Sequence, residues 1–302
     1  MTLPPPEDET TRPPLQRSGE DDVPPFERLT RRRTCGVVSA DRNFVTALGR
    51  GLMILEAFAD NVVWLSSSDV AARVRLPKPT TSRLLKALAA LSYLHYSTRR
   101  RQYRLGAAVL ALGFAARDRF SGGDVVRPYL KKLADKYNVH ASLAGRDRLD
   151  AIQLDGCHST KTLMTLNIQV GSRIPLAGTA TGHALLAALP EHERRYLIEH
   201  LRNRHSKHWP KISAKIDEGM RQYRERGYTW SLASWRTDIN GVAVPFVLPG
   251  GSAVLVIACG APARHLPRRK MDEIGRHLTR IAREVAELLS TRRGAGGFTT
   301  AK

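Results

Sequence analysis

The stretch RLPKPTTSRLLKAL, residues 75–88, sets hydroxyls and cations at helical spacing. At about 100° per residue, Thr81, Leu84, Leu85, Leu88 and Leu91 share one face. Pro79, Arg83, Lys86 and Ala90 share the opposite face, with Ser82 at its flank. A proline near the first turn suits a helix start, because its missing N–H would be unbonded there in any case. Lys78, Thr80, Thr81, Ser82 and Lys86, with the first helical amides, carry the donors that phosphate oxygens accept. Arg83 can reach guanine edges in a major groove. The leucines then dock the helix on its partners. The competing reading is an ordinary amphipathic helix with a solvated basic face.

Other reactive residue types lead to less. His192, His200, His205 and His208 fall within HERRYLIEHLRNRHSKHWPK, but no Cys or acidic partner flanks them at zinc-ligand spacing. That segment reads as an exposed basic helix and loop, and neither a metal nor a cofactor is expected. Cys259 sits in the apolar run AVLVIACGA, where a thiol is usually an inert filler. An enzyme using His183 or Cys259 finds no support, since the sequence has no Ser-His-Asp order, nucleophile elbow or phosphate loop.

The elements around residues 75–88 fit a DNA-binding unit. In DRNFVTALGRGLMILEAFAD (41–60), Val45, Leu48, Leu52, Leu55 and Ala59 recur on one helical face. In LSSSDVAARVRL, Ser66 and Asp69 form a capping-box pair before a short helix with Val70 and Val74 inward. Ser66 joins the set expected to face DNA. Three short helices with a tight second connection make a helix-turn-helix. SYLHYSTRRRQYRLG then reads as two strands joined at Arg99, Arg100 and Arg101, a wing whose cationic tip suits phosphate or minor-groove contact.

The bulk properties agree. The 302 residues allow about two domains. Forty-eight Lys and Arg against 28 Asp and Glu give a net charge of +20, a balance that favours polyanions. Three distant cysteines make a disulfide framework unfavourable, and no secretory signal or membrane-length apolar run is evident, so a cytoplasmic location without membrane contact is expected. The Pro-rich segment 1–40, ending in the basic RLTRRRT (28–34), reads as a disordered arm.

Four stretches in order resemble the IclR family of bacterial transcriptional regulators. They are VTALGRGLMILEAFA (45–59), LSSSDVAARVRLPKPTTSRLLKALAALSYL with YRLG (65–94, 103–106), GSRIPLAGTATGHALLAALP (171–190) and NGVAVPFVLPGGSAVLVIACGAPARHL (240–266). The resemblance implies an α+β chain. A winged helix-turn-helix would occupy 41–105, a linker helix 106–121, a GAF-like α/β effector-binding domain 122–291 and a flexible tail 292–302. It also implies a homodimer or homotetramer on a pseudo-palindromic double-stranded operator, controlled by a small-molecule effector. Where the family usually has Gly before the recognition helix this chain has Arg75. Where it has Gly and acidic residues in the wing, this chain has Arg99 to Arg101, and Ala177 and His183 replace its usual His and Lys.

In the second half, Val125–Asn138 has helical spacing, and HASLAGRDRLDAIQLDG (140–156) reads as two strands around GRDR. KTLMTLNI (161–168) reads as a third strand. Thr179 caps a helix running to Leu189, whose first amides suit a carboxylate. Two apolar strands are joined at Pro249-Gly250-Gly251, and a long helix runs from about Pro267 to Ser290. The resemblance places the effector against Gly178, Thr179, Ala180, Ser231, Gly241, Ile257 and Cys259. The rival reading is a ligand-independent or architectural DNA-binding protein with a vestigial pocket.

Overall fold

The computed structural model describes residues 45–58, 63–120, 123–159, 168–233, 235, 238–248, 251 and 253–295. The expected arm with its basic run, most of the strand at 161–168, and Pro249 and Gly250 of the expected turn lie outside them. The chain divides into two compact units, Met1–Val109 and Leu110–Lys302.

In the first unit, α1 (Thr46–Glu56), α2 (Ser67–Val74) and α3 (Lys78–Ala90) precede a hairpin of β1 (Leu94–Ser97) and β2 (Gln102–Leu105). The capping box starts α2: Ser66 Oγ accepts from Asp69 N at 3.2 Å, and Ser66 N donates to Asp69 Oδ2 at 2.9 Å. Arg75 ends α2 in the left-handed region, with φ 56°. The core joins Ile54, Phe58, Leu65, Val70, Val74, Leu85, Leu94 and Tyr103.

The expected inward face of α1 is corrected. Ile54 and Phe58 point inward, whereas Val45, Leu48 and Leu52 are 62%, 63% and 54% exposed. Among the described residues only the last turn of α1 reaches the core, so the apolar periodicity upstream describes a stripe that they leave exposed. Leu91 is also exposed, because α3 ends at Ala90 before that residue can join the leucine face.

Helix α4 (Ala107–Phe120) spans the range expected for a linker helix. Next come α5 (Gly123–Tyr137), β3 (His140–Asp147), β4 (Asp150–Cys157) and β5 (Arg173–Pro175). A 3-10 turn, Leu176–Gly178, leads into α6 (Ala180–Ala188), α7 (Glu191–Arg204) and α8 (Trp209–Arg226). Strands β6 (Thr229–Leu232), β7 (Ile239–Val247) and β8 (Val254–Pro262) precede α9 (Arg268–Ala295). That last helix continues past the expected start of a tail at 292. The β3–β4 turn falls at Arg148-Leu149, at the end of the expected GRDR and one residue beyond it, with Arg148 at φ 57°.

The six strands form one antiparallel sheet in the order β5-β4-β3-β8-β7-β6. One face packs Val242, Val244, Ile257 and Cys259 against Leu130 of α5 and Ile274 and Leu278 of α9. The other packs Ala243, Val256 and Ala258 against Ala180, Ala184 and Leu185 of α6, with Leu197 of α7 and Ile216 of α8 behind. The alternating pattern of each strand therefore feeds two separate cores.

Candidate nucleic-acid interface and effector site

Helix α3 begins at Lys78 with Pro79 in its first turn. Pro79, Arg83, Lys86 and Ala90 are exposed along one side, Lys78 is exposed at the helix start, and Thr80 and Ser82 are half-buried. Thr81 departs from the expected set. It is fully buried, and its hydroxyl donates to the Pro77 carbonyl at 3.1 Å. It belongs with Leu85 on the docking face, as the angular arithmetic alone requires, and cannot reach a phosphate. The Ser66 hydroxyl is spent on its cap, donating to Asp69 Oδ2 at 2.7 Å. That bond and the Ser66 amide hold the Asp69 carboxyl below its ordinary range.

Strands β1 and β2 pair from Leu94↔Leu105 to Ser97↔Gln102, so Thr98 to Arg101 form the tip. All three tip arginines are exposed, and Arg101 has φ 52°. A non-glycine residue in that region is strained. The unit thus presents the side chains of α3 and an arginine-tipped hairpin as exposed cations.

In the second unit, Thr179 caps α6, its Oγ1 accepting from Gly182 N at 3.0 Å. Ser231 Oγ accepts from Ala180 N at 3.1 Å, and Thr229 Oγ1 donates to the Ala180 carbonyl at 2.7 Å. Ser231 pairs with Gly241 across β6 and β7, and a Cβ on Gly241 would touch Ala180 and Ser231. Gly178, Thr179, Ala180, Ser231 and Gly241 are therefore brought together. Ile257 and Cys259 are not, because both belong to the core under α5 and α9. Strand alternation decides this, since Ala258 between them is the residue that faces α6. Burial also pushes the Cys259 thiol up to about 12, which keeps it protonated and unreactive.

Residues 47–97 match the family model of the IclR helix-turn-helix domain, and residues 123–287 match that of the bacterial transcriptional regulator IclR C-terminal domain. The chain belongs to the IclR family. It is 29% identical to the HTH-type transcriptional regulator TsaQ1/TsaQ2 of Comamonas testosteroni over 251 residues, covering 82% of this chain and 90% of that protein. An IclR family transcriptional regulator from Brucella abortus has 38% identity and a TM-score of 0.73, covering 84% of this chain and 96% of that one. An IclR homologue from Microbacterium hydrocarbonoxydans, solved with 4-hydroxybenzoate, shares the fold at 18% identity, with a TM-score of 0.62 over 83% of this chain and all of that one. The protein is thus an IclR-type transcriptional regulator with a helix-turn-helix and an effector-binding C-terminal domain, and its relatives are regulators rather than enzymes. Among the described residues, no helix is long and apolar enough to cross a membrane.

Within this IclR-family frame, the replacements at Ala177 and His183 are both buried, and only His183 has a contact that shows where it faces. His183 packs on Gly219 of α8, where a Cβ would collide with the imidazole. Burial pulls the His183 pKa down to about 4, with Lys215 adding to the drop. The Ala177 backbone opposes it but makes no well-formed hydrogen bond, and neither ring nitrogen has a partner. Of the four histidines at 192–208, His192 and His208 are exposed, and His200 shares a 2.8 Å hydrogen bond with the Tyr196 carbonyl. Among the described residues no group of three His, Cys, Asp or Glu is arranged to hold a metal.

Sequence reasoning missed a polar row near one end of β3 and β4. His140 Nε2 lies 3.2 Å from Gln153 Oε1, and its ring stacks on that of His158 at 4.3 Å. Burial pulls the His140 pKa down to about 4 despite the Gln153 bond. The strand alternation of HASLAG held the clue, with His140 and Ser142 on the same side as Ala144.

Proposed function

We propose that this regulator binds a pseudo-palindromic operator as a dimer or tetramer in the cytoplasm and that a small carboxylate controls it. The observation that carries the DNA reading is the exposed pair Arg83 and Lys86, with Lys78 exposed at the helix start, on a helix whose other side is locked by buried Thr81 and Leu85. Such a helix presents rigidly placed donors to a major groove, while the wing cations Arg99, Arg100 and Arg101 meet the backbone. Exposed Val45, Leu48 and Leu52 on α1, with Leu110, Leu112 and Phe114 on α4, supply apolar surface for a second copy to cover.

The effector reading rests on Gly178, Thr179, Ala180, Ser231 and Gly241. Ser231 Oγ accepts from the α6 amide, so its proton is free to be donated to a ligand oxygen. The 4-hydroxybenzoate found with a relative makes aromatic carboxylates the first to try. The same hydrogen bonds favour a second reading. Ser231 and Thr179 already satisfy two of the α6 amides, which suits a regulator that needs no carboxylate. Thermal-shift titration with a carboxylate panel, including 4-hydroxybenzoate, separates the two. The effector reading predicts saturable stabilisation that Ser231→Val diminishes, about 2.7 kcal/mol at a hundredfold excess over Kd. No stabilisation by any carboxylate, with DNA binding intact, supports the ligand-independent reading.

A further inference from the structure

Trp64 precedes the hairpin in space as well as in sequence. Leu65 exchanges both backbone hydrogen bonds with Tyr103, at 3.0 and 2.8 Å. Antiparallel register then sets Trp64 opposite Arg104, and the β1–β2 register sets His95 on the other side of Arg104. Leu65 and Tyr103 are buried, so the Trp64–Arg104–His95 row stands on the outer face of the wing. The Trp64 and His95 rings meet edge-on, with centroids 6.1 Å apart and planes at 65°. The Arg104 guanidinium carbon lies over the indole at 5.1 Å from its centroid, and that of Arg100, from the tip, at 5.4 Å. Both arginines remain exposed.

A guanidinium over an aromatic face keeps its N–H donors in its own plane, pointing outward and free to bond phosphate oxygens. Stacking also restricts two long side chains before any ligand arrives, so less freedom is lost when they bind. We propose that Trp64 is a positioning residue that holds Arg100 and Arg104 as a two-cation clamp for a nucleic-acid phosphate on the outer face of the wing. The proposal rests on the DNA-binding reading above and adds Trp64 and Arg104 to it. The indole is the platform, and the arginines make the contact.

The test uses the full chain, a 30-base-pair duplex of scrambled sequence and fluorescence anisotropy across a salt series. A backbone clamp needs no operator, and each lost phosphate contact lowers the slope of log K against log salt by roughly 0.9. The Arg100→Ala/Arg104→Ala double variant, which loses the one clamped phosphate, is expected to lower that slope by roughly 0.9. Trp64→Leu is expected to weaken binding about tenfold, and Trp64→Phe, which keeps a ring face, to recover most of the loss. Indole emission should change on adding duplex to wild type, and the part contributed by Trp64 should vanish in Trp64→Phe. An unchanged slope in the double-arginine variant would overturn the clamp. Wild-type affinity and slope in Trp64→Leu, beside a loss in the double variant, would overturn the platform alone. Should Trp64→Leu not fold, Trp64→Phe and the double variant still decide through slope and emission. Wild type that binds no duplex would sink the DNA-binding reading itself, and this proposal with it.

Discussion

At the residue scale, the least settled groups are buried histidines and left-handed arginines. His183 and His140 are both held near pKa 4 by burial, below the ordinary value of 6.5. A histidine whose folded pKa is depressed resists protonation in the native state, so the unfolded chain binds more protons as pH falls. The stability is complete above about pH 6.5 and is lost as pH drops toward 4. By pH 5 each contributes a loss of about 2 kcal/mol. His183→Leu should therefore flatten the acid side of the stability curve in urea melts at pH 7.5 and 5. An unchanged difference between those two values would refute the assignment. Arg75, at φ 56°, occupies a helix C-cap that glycine favours. Arg75→Gly should stabilise the fold by about 1 kcal/mol, read as a raised Tm, while lowering DNA affinity through the lost cation. Neither strain was legible in advance. The sequence shows an arginine where the family has glycine, but not that the backbone keeps glycine's conformation.

At the scale of elements, patterning and punctuation located most helices and strands, including the Ser66–Asp69 cap, the Thr179 cap and the β7–β8 hairpin. It failed where a pattern has two possible partners. The α1 periodicity of Val45, Leu48 and Leu52 signals burial but cannot say whether the cover comes from the same chain. The β8 run VLVIACGAP is apolar at nearly every position because both faces are covered, so its alternation offers no check on the resemblance that sets Ile257 and Cys259 against the effector, and both lie in the other layer. His140, Ser142 and Gln153 escaped because a polar residue within a strand reads as solvent-facing until a second layer is known. If α1 pairs with its copy, Leu48→Glu with Leu52→Glu should shift the protein to a smaller species in light scattering while leaving the monomer fold intact, since neither side chain contributes to the core. An unchanged mass would remove α1 from the interface.

At the scale of the whole molecule, the charge that first suggested a polyanion is spread more widely than the helix-turn-helix. Residues 45–109 hold ten Lys and Arg against three Asp and Glu, and residues 110–302 hold 31 against 17. The larger excess thus lies in the effector-binding unit, and a positive field of that kind can steer encounter with a polyanion without reading bases. On the proposed reading α3 reads the bases, and control by an effector requires its unequal affinity for DNA-competent and incompetent states. The most direct test is binding of the purified protein to its own upstream intergenic DNA and to a scrambled duplex across a salt series, with Arg83→Ala beside wild type. The account predicts tighter wild-type binding to the upstream DNA, and a loss in Arg83→Ala of about 1–3 kcal/mol concentrated on that fragment. Equal, steeply salt-dependent binding to both fragments, unchanged by Arg83→Ala, would contradict it.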